Sequence, residues 1–594
     1  MTYYDVVIID SGVNVENYAQ VHGVCIDNNI NCTNDDLSDK IGHGTIIYSI
    51  INKQIDSSKI YVIKLSEKNE LTDASLIEAL KYVKQNINCK IINMSLGIKT
   101  GDNINELKRL CFEIADRGTV IVSAFDNEGC YSYPAAFECV IGVDTRGDFN
   151  SSAEFDYVEN SAINIFAKGN VQRVMLPEGK PLLVNGSSIA CAHITSILAN
   201  VKTDSFNLQY ALSFLKANSR SVFLSNNNVS KNSMHVFDIN NAVVFPFAKE
   251  AHAFLRFADM LPFNIKSYYD IRRSGKVGKK LSCYYENDAS GKVIMDIDKI
   301  NFDGVDAIIL GHLDELCHIT KRNYRTELIQ KAIAAHVNIY SFDPLNDYSY
   351  LLENADIKYY FPQVNGQNLP HNSFGKLYKI QKPVVGIFGT SSQQGKFSLQ
   401  LALKRELESL GYNVGSVGTE PHSPLFKFDV VFPMGYNSTV YLQNSEIISF
   451  LNNEINNLCL KDKEIILTAT QAQIVPFYCN NLLEYPILQY YFALGTNPDA
   501  VVLCVNFHDE IQYVKNSIYA LKGLTNADII SLVMYPVTYN SDWNGLLGFS
   551  KHKITSQEFQ EKANILEKEF KIPVFMLGNE QHMHELCQII IDFF

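Results

Sequence analysis

The stretch VNGSSIACAH, residues 184–193, places two adjacent serines, Ser187 and Ser188, between a glycine and a run of small apolar residues. Serine at such a position is typical of a turn that leads from a strand into a helix, where it caps the first helical turn. The same turn also presents a hydroxyl that can attack a carbonyl carbon when a base lies within reach. These ten residues leave both interpretations open, so the rest of the chain has to separate them.

The charge and composition exclude several classes of function. The chain has 594 residues and a formal net charge of −13, with no long run of one sign. Nucleic acid and anionic membrane surfaces both require a basic face, so neither is expected as a partner. No segment is typical of a secretory signal or a transmembrane helix. The 13 cysteines are scattered, with Cys25 and Cys32 as the closest early pair, which favours reduced thiols and predicts a cytoplasmic protein without structural zinc.

Short apolar runs alternate with amphipathic patterns along the whole chain, which predicts an α/β protein with parallel sheets covered on both faces. Three segments are predicted: residues 1–238 with a doubly wound sheet, residues 239–380 with a small Rossmann-like sheet, and residues 381–594 with a third α/β sheet. The main predicted strands are 5–9, 60–65, 90–94, 120–124, 140–143, 242–247, 265–269, 307–310, 337–342, 384–388, 414–417, 464–468, 500–505 and 529–534. The predicted helices are 74–86, 105–117, 249–260, 326–335 and 399–410, and the polar stretch 365–374 is predicted to be a linker or loop.

Polar side chains follow several predicted strands of the first segment. Asp10 follows an apolar strand, His43 lies between two glycines, and Asn127 and Ser188 lie in turns. Active groups in open α/β sheets gather at the carboxyl ends of strands, and acid, histidine and serine in this order form one known hydrolytic triad. In it, His43 would take the serine proton and Asp10 would orient the imidazole. The Asn127 amide and the Ser188 N–H would stabilise the oxyanion.

Three motifs carry a family resemblance: Asp-Ser-Gly at 10–12, His-Gly-Thr at 43–45 and Gly-Ser-Ser-Ile-Ala at 186–190. Together and in this order they resemble the signatures of subtilisin-like serine peptidases, the subtilases, over about 200 residues. The resemblance implies a subtilisin-like doubly wound parallel sheet in the first segment. It also implies that Ser188, and not Ser187, is the nucleophile.

The resemblance implies further roles. Residues Ser95, Leu96 and Gly97 resemble the strand that pairs with the substrate backbone. Asn127 resembles the oxyanion asparagine, and His193 resembles a histidine that is structural in the family. The chemistry of such a triad needs no cofactor.

The sequence also departs from the family pattern. Asp126 replaces a glycine in the stretch that lines the pocket for the residue before the cut bond. Asp126 would either favour a basic substrate residue by charge pairing, or point to solvent, or block the pocket. Ala192 replaces a proline, which should perturb the helix start only mildly. Because the chain begins almost directly at the strand before Asp10, we expect no inhibitory prodomain, and we expect no calcium loop.

A second motif, GTSSQQGKFS, lies between predicted strand 384–388 and predicted helix 399–410. It is one residue longer than the usual GxxxxGK[ST] phosphate loop. Backbone N–H groups at the helix start and the Lys396 ammonium would favour an anion. The predicted nucleotide-binding residues are Gly389, Thr390, Gln394, Gly395, Lys396, Phe397 and Ser398. Ser398 is also a candidate Mg²⁺ ligand. The alternative to a phosphate loop is a Ser/Gln-rich turn in which the lysine occurs by chance.

This loop resembles that of the dethiobiotin-synthetase-like P-loop proteins. With VGTEP at 417–421 and LGTNPDAVVLCV at 494–505, it also resembles a P-loop family in which a small α/β domain precedes the loop domain. Some members of that family are described as N-acyltransferases on D-glutamate. The resemblance implies that ATP or another nucleotide binds with Mg²⁺. Residues 468–476, TATQAQIVP, lack the acidic residue that such proteins carry there, so binding is expected rather than fast hydrolysis. Glu420 and Asp429 are possible substitutes for that acidic residue in Mg²⁺ binding.

Two main functional hypotheses follow. In the first, the protein is a cytoplasmic serine endopeptidase that cleaves a specific peptide, and its C-terminal half binds nucleotide. The domain combination resembles that of natural-product peptide-maturation proteins, in which a subtilase is expected to cut a leader from a precursor. In the second, the P-loop half is an ATP-dependent ligase or acyl transferase and the subtilase domain is a substrate-binding module. A nucleotide-gated assembly role is a third possibility, and the sequence leaves the oligomeric state open.

Overall fold

The structure is a computed structural model that describes residues 3–15, 21–26, 36–65, 71–176, 179–203, 205–224, 236–370, 374–435, 437–477, 479–482, 485–539 and 551–594. The chain divides into two compact units. The first comprises Met1–Asn228 and Pro370–Gln381, and the second comprises Val229–Leu369 and Lys382–Phe594. Within the described ranges, every helix is too short or too polar to cross a membrane. No disulfide joins the cysteines that the structure describes, and Cys32 lies outside the described residues.

The strands of the first unit are β1 (Tyr3–Asp10), β2 (His22–Ile26), β3 (Ile60–Leu65), β4 (Asn88–Met94), β5 (Val120–Ala124), β6 (Val140–Arg146), β7 (Phe155–Glu159), β8 (Ile165–Lys168), β9 (Gln172–Met175), β10 (Pro181–Val184) and β11 (Val222–Leu224). Its helices are α1 (His43–Asn52), α2 (Asp73–Asn86), α3 (Ile104–Ala115), α4 (Ser187–Ala199) and α5 (Leu208–Asn218).

A nine-stranded sheet in the order β11-β7-β8-β6-β5-β4-β1-β3-β2 organises this unit. Only β7 and β8 pair antiparallel among its described neighbours, so Asp10 at the end of β1 and the residues that directly follow β4 and β5 lie at the same edge. The interior strand β1 carries a continuous run of four buried apolar residues, 6–9, because helices cover both faces of the sheet. Helix α4 is apolar on nearly all sides for the same reason, since it packs into the core against β4, β5, β6 and β8.

The second unit contains two sheets. The smaller is six-stranded and parallel, in the order β14-β13-β12-β15-β16-β17, with these strands and helices: β12 (Asn241–Phe245), β13 (Asn264–Asp270), β14 (Met295–Asp296), β15 (Ala307–Leu310), β16 (Asn338–Ser341), β17 (Tyr359–Tyr360), α6 (Ala251–Arg256), α7 (Asp314–Thr320), α8 (Tyr324–Ala334) and α9 (Ser349–Glu353). Its strands bury apolar runs on both faces, as expected for a parallel sheet.

The larger sheet carries the glycine-rich turn at the end of its central strand. Its elements are β18 (Val384–Gly389), β19 (Val414–Gly418), β20 (Val430–Val431), β21 (Ile465–Ala469), β22 (Ala500–Val505), β23 (Asp528–Met534), β24 (Val537–Tyr539), β25 (Lys551–Lys553), β26 (Val574–Met576), α10 (Lys396–Ser409), α11 (Ser445–Cys459), α12 (Ile487–Thr496), α13 (Ile511–Thr525), α14 (Ser556–Phe570) and α15 (Glu580–Phe593). The order is β20-β19-β21-β18-β22-β23-β26, all parallel, while β24 and β25 form a separate ribbon.

The predicted α/β class with parallel sheets is confirmed, and two local predictions differ from the structure. Predicted helix 249–260 is shorter, because α6 ends where Phe257 leaves helical backbone angles and a 3₁₀ turn follows at Ala258–Met260. The three predicted segments correspond to three main sheets, but these form two compact units, and Pro370–Gln381 belongs to the first unit instead of the segment 239–380.

Candidate functional site

Asp10 and His43 form a hydrogen-bonded pair at the carboxyl end of β1. The His43 Nδ1–H donates to Asp10 Oδ1 at 2.8 Å. The same carboxylate oxygen accepts the Ser11 N–H at 2.8 Å, and the Asp10 side chain is only 2% exposed. Because Asp10 holds Nδ1, the Nε2 of His43 is the nitrogen available to a nucleophile.

Two opposing effects set the pKa of His43. Burial of the imidazole lowers the pKa, whereas the charge and hydrogen bond of Asp10, together with the charge of Asp39, raise it. The net pKa lies above the ordinary value of 6.5. His43 therefore accepts a proton more readily than a free imidazole, but it must first be neutral to do so.

Asp39 is a buried carboxylate behind this pair that the sequence reasoning missed. Its Oδ1 accepts the Ser11 hydroxyl at 2.9 Å and the Gly42 N–H at 2.7 Å. Its Oδ2 accepts the N–H and the hydroxyl of Thr45 at 2.8 and 2.7 Å. Burial raises the pKa of Asp39, but these hydrogen bonds outweigh it, and the net pKa is below the ordinary value. Asp39 thus fixes the backbone on both sides of His43, a role that its position in a polar turn does not reveal.

Ser188 lies in the first turn of α4, after Gly186 at φ 122°. A Cβ at position 186 would lie 3.2 Å from the amide atoms of Asn127, so the close approach requires glycine. The Ser188 hydroxyl donates to the Ser95 carbonyl oxygen at 2.8 Å. Among the described residues no hydrogen bond joins Ser188 to His43, although α1 and α4 pack against each other. The structure therefore holds the hydroxyl in a rotamer that faces Ser95.

The neighbouring Ser187 is fully buried and holds the turn that carries Asn127. Its hydroxyl donates to the Phe125 carbonyl oxygen, and its N–H donates to Asn127 Oδ1 at 2.9 Å. With its oxygen engaged, Asn127 retains Nδ2 as a donor beside the first turn of α4. Ser187 is thus a structural residue, and Ser188 is the serine that remains available for chemistry.

Residues 95–97 follow β4 directly, and Ser95 contacts the first turn of α4. Ser95 is buried, and its hydroxyl lies 3.0 Å from the Ser188 carbonyl oxygen. The next residue along, Ile98, exchanges backbone hydrogen bonds of 2.9 and 2.8 Å with Tyr133. Leu96 and Gly97 are partly exposed, and their pairing with a substrate backbone stays a prediction.

Asp126 already has a cationic partner. Its Oδ1 lies 3.2 Å from Lys99 Nζ, and its Oδ2 accepts the Glu128 N–H at 2.8 Å. The side chain is 20% exposed. A basic substrate residue would have to compete with Lys99 for this carboxylate, and selection for such a residue stays a prediction.

The phosphate loop of the second unit is stabilised by hydrogen bonds between its own residues. The Gln394 Nε2 donates to the Thr390 hydroxyl at 2.6 Å, and its Oε1 accepts the Ser391 N–H at 3.1 Å. Lys396 begins α10 and donates from Nζ to the Ser391 carbonyl oxygen at 2.6 Å. Burial lowers the pKa of Lys396 to about 8. Thr390 and Gln394 therefore support the loop, while Lys396 is the group that can turn to a ligand.

A cavity of 530 Å³ opens in front of this loop. Five of the predicted nucleotide-binding residues line it, namely Gln394, Gly395, Lys396, Phe397 and Ser398. In the part of the chain that the structure describes, Gly389 and Thr390 stand outside its lining. The opposite wall comes from the smaller sheet, with residues that sequence reasoning missed: Lys249, Glu250, His252, Ala253 and Arg256. They had no local motif, because α6 reaches the loop only through the packing of the two sheets.

The two acidic candidates for Mg²⁺ lie in different places. Glu420 lines the cavity, and burial raises its pKa. Asp429 instead accepts the Ser416 N–H at 2.9 Å and pairs with Lys463 at 3.1 Å, away from the cavity lining. His422 also lines the cavity, is 2% exposed, and has a pKa lowered to about 3 by burial. Of the two acidic candidates, Glu420 is therefore the one that lines the cavity, where Glu250 also lies.

Two family models match separate parts of the chain. The model of the Subtilase family (Peptidase_S8) matches residues 5–222, and the model of the Domain of unknown function (DUF1611_C) P-loop domain matches residues 372–584. The crystal structure of a DUF1611 family protein from Anabaena variabilis, 12% identical, covers 60% of this chain and 100% of its own, with a TM-score of 0.42.

The curated relatives that match part of this chain include two bacterial proteases. The major intracellular serine protease of Bacillus subtilis is 28% identical over 188 residues, which cover 28% of this chain and 57% of that protein. The thermostable alkaline protease of Halalkalibacterium halodurans is 28% identical over 177 residues, which cover 28% of this chain and 48% of that protein. This chain thus spans about half the length of these relatives. The protein carries a subtilase-family peptidase domain, followed by a DUF1611-type P-loop domain of unknown function.

Proposed function

We propose that the first unit is a serine endopeptidase that cleaves a peptide substrate in the cytoplasm, with Asp10, His43 and Ser188 as its triad. The observation that supports it best is the 2.8 Å Asp10–His43 bond beside the turn of α4 that carries Ser188. The match to the subtilase family over residues 5–222 supports the same assignment.

In the proposed reaction, the Ser188 hydroxyl rotates from the Ser95 carbonyl to His43 Nε2. His43 takes the proton as the serine oxygen attacks the peptide carbonyl, and Asp10 stabilises the imidazolium. The developing oxyanion accepts hydrogen bonds from Asn127 Nδ2 and the Ser188 N–H, where loss of one donor typically costs ~3 kcal/mol. His43 then returns the proton to the leaving amine, and water hydrolyses the acyl-enzyme by the same route.

Labelling with a fluorophosphonate probe tests this proposal. The wild type should be labelled, and Ser188→Ala should lose the label. Ser196→Ala is a matched control on the same helix, because the Ser196 hydroxyl donates to the Ala192 carbonyl oxygen one turn back. Folded wild type that stays unlabelled would refute the endopeptidase.

The narrower proposal is that the substrate is a precursor peptide from which a leader is removed. The combination of a peptidase domain with a P-loop domain supports it. Incubation of the protein with small peptides encoded beside its gene, followed by mass spectrometry, tests it. Cleavage at one site, absent in Ser188→Ala, is expected, whereas uncut neighbouring peptides would argue against maturation.

The second unit is proposed to bind ATP or another nucleotide in the 530 Å³ cavity. The first N–H groups of α10 have no partner within the helix and, with Lys396, favour phosphate. Ser398 and Glu420 would hold Mg²⁺, which takes most of its ligands from phosphate and water.

Calorimetry with ATP, with and without Mg²⁺, tests nucleotide binding. Lys396→Ala should weaken binding at least tenfold, whereas Lys404→Ala on the same helix should not, because Lys404 pairs with Glu408. Equal affinity of Lys396→Ala and wild type for ATP would contradict the proposed nucleotide site.

The alternative function, an ATP-dependent ligase or acyl transferase, is favoured by Glu420, whose raised pKa suits a proton acceptor in the same cavity. ATP turnover that persists in Ser188→Ala would support it.

A further inference from the structure

The segment Pro370–Gln381 is part of the first compact unit. The residues on both sides of this segment belong to the second unit, and the P-loop family match already begins at residue 372. The segment pairs with the peptidase unit through a parallel bridge between Cys130 and Leu377. In it, the Tyr131 N–H donates to the Leu377 carbonyl oxygen at 3.0 Å. A piece of chain that belongs by sequence to one half is therefore part of the fold of the other.

Lys376 is the buried centre of this contact. It is 6% exposed, and its Nζ lies 3.0 Å from Asp144 Oδ2. Nζ also donates to the Asp126 carbonyl oxygen at 3.3 Å and lies 5.5 Å from the centre of the Phe125 ring. A buried ammonium is stable only with such compensation, so the site is shaped for this cation.

Two aromatic contacts seat the segment on either side of Lys376. The Tyr378 ring stacks on Tyr131 with centroids 4.4 Å apart, and burial raises the pKa of Tyr378. The Phe374 ring meets Phe166 edge to face at 4.9 Å. The first contact holds the segment on the turn that follows β5, and the second holds it on β8.

That turn carries Asn127. On one side, Ser187 holds it through the Phe125 carbonyl oxygen and Asn127 Oδ1. On the other side, Lys376 holds it through the Asp126 carbonyl oxygen and Phe125. The amide that would face the oxyanion is thus clamped between α4 and residues 374–381.

We propose that Lys376 is a positioning residue for the Asn127 turn, so that the peptidase unit is fully competent only with residues 374–381 seated on it. This inference rests on the proposed endopeptidase. It places a residue more than 180 positions after Ser188, within the sequence match of the other domain, in direct support of the oxyanion donor.

The test separates the rate constant and the affinity of fluorophosphonate inactivation. Lys376→Met should lower the limiting inactivation rate at least tenfold and leave the apparent affinity for the probe unchanged, because the oxyanion donor acts in the transition state. Lys376→Arg should recover part of the rate. Lys379→Met, an exposed lysine on the same segment, should stay within twofold of wild type.

Repeating the Lys376→Met substitution in a protein that already lacks the Asn127 amide shows whether Lys376 acts through Asn127. In an Asn127→Ala protein, adding Lys376→Met should cost less than twofold; a full tenfold loss there would mean a general structural effect and overturn the inference. Asp144→Asn weakens the same contact at the other end and should lower the rate in the same way, even if Lys376→Met does not fold. Wild type that is not labelled at all would refute the endopeptidase itself. Labelled wild type with an unchanged Lys376→Met rate would refute this inference alone.

Discussion

The charge next to His43 should set the pH range of the peptidase. Its pKa lies above 6.5, and the reaction needs the neutral imidazole, so the labelling rate should rise with pH and reach half its maximum above pH 6.5. Asp10→Asn removes the largest effect that raises this pKa, so the midpoint should move to lower pH. The rate itself should fall by about 10⁴. Labelling rates from pH 5 to 9 measure both; an unchanged midpoint in Asp10→Asn would contradict the assignment.

Lys396 should make nucleotide binding weaken as the pH rises, whereas the labelling rate of the peptidase should increase. Its pKa of about 8 means that the ammonium loses its proton as the pH rises through 8, whereas bound phosphate favours the charged form. ATP binding should therefore take up about half a proton at pH 8 and weaken above it. Calorimetry in two buffers of different ionisation enthalpy measures the uptake. Lys396→Arg stays charged and should show none; uptake that persists in that variant would assign the proton to another group.

At the level of elements, the backbone of the phosphate loop can be tested against a matched position. Gly395 lies at φ 76°, and a Cβ there would come within 2.7 Å of the Leu577 and Tyr535 side chains. Gly411, just after α10, lies at φ 96° with no atom within 4 Å of such a Cβ. Both alanine variants should lose ~1–2 kcal/mol of unfolding free energy from the left-handed backbone. Only Gly395→Ala should also lose ATP binding. Calorimetry with ATP and thermal unfolding of both variants measure the two effects. Equal ATP binding by both variants would contradict the conclusion that the loop has no room for a side chain at position 395.

Element boundaries were predictable where burial leaves a continuous apolar run. The predicted strands 60–65, 120–124 and 500–505 agree with β3, β5 and β22 residue for residue. Such strands are covered on both faces, so hydrophobicity alone marks their ends. The end of α6 was not predictable, because residues 258–260 keep helical composition while Phe257 takes a non-helical backbone angle. That angle depends on packing and not on the local sequence.

For the whole molecule, the two proposed sites should be chemically independent. The triad and the residues that line the P-loop cavity belong to different compact units. Ser188→Ala should therefore bind ATP with wild-type affinity, and Lys396→Ala should be labelled by the probe at the wild-type rate without nucleotide. Calorimetry and labelling on the same two variants measure this. A loss of ATP binding in Ser188→Ala would show that the two sites share residues or a common folding defect.

The sequence by itself determined the chemical types and their order: Asp10, His43 and Ser188 in one half, and the turn before Lys396 in the other. These signals are readable because each motif consists of consecutive residues whose neighbours set its local backbone.

Only the tertiary structure decided which side chains support these groups. The α6 wall of the P-loop cavity and Lys376 against the Asn127 turn act across long separations in sequence. Asp39 is close to His43 in sequence, but its bond to the Ser11 hydroxyl also joins two distant turns. A contact between distant segments leaves no pattern in either one, because burial and charge pairing depend on where the whole chain packs and not on which residues adjoin.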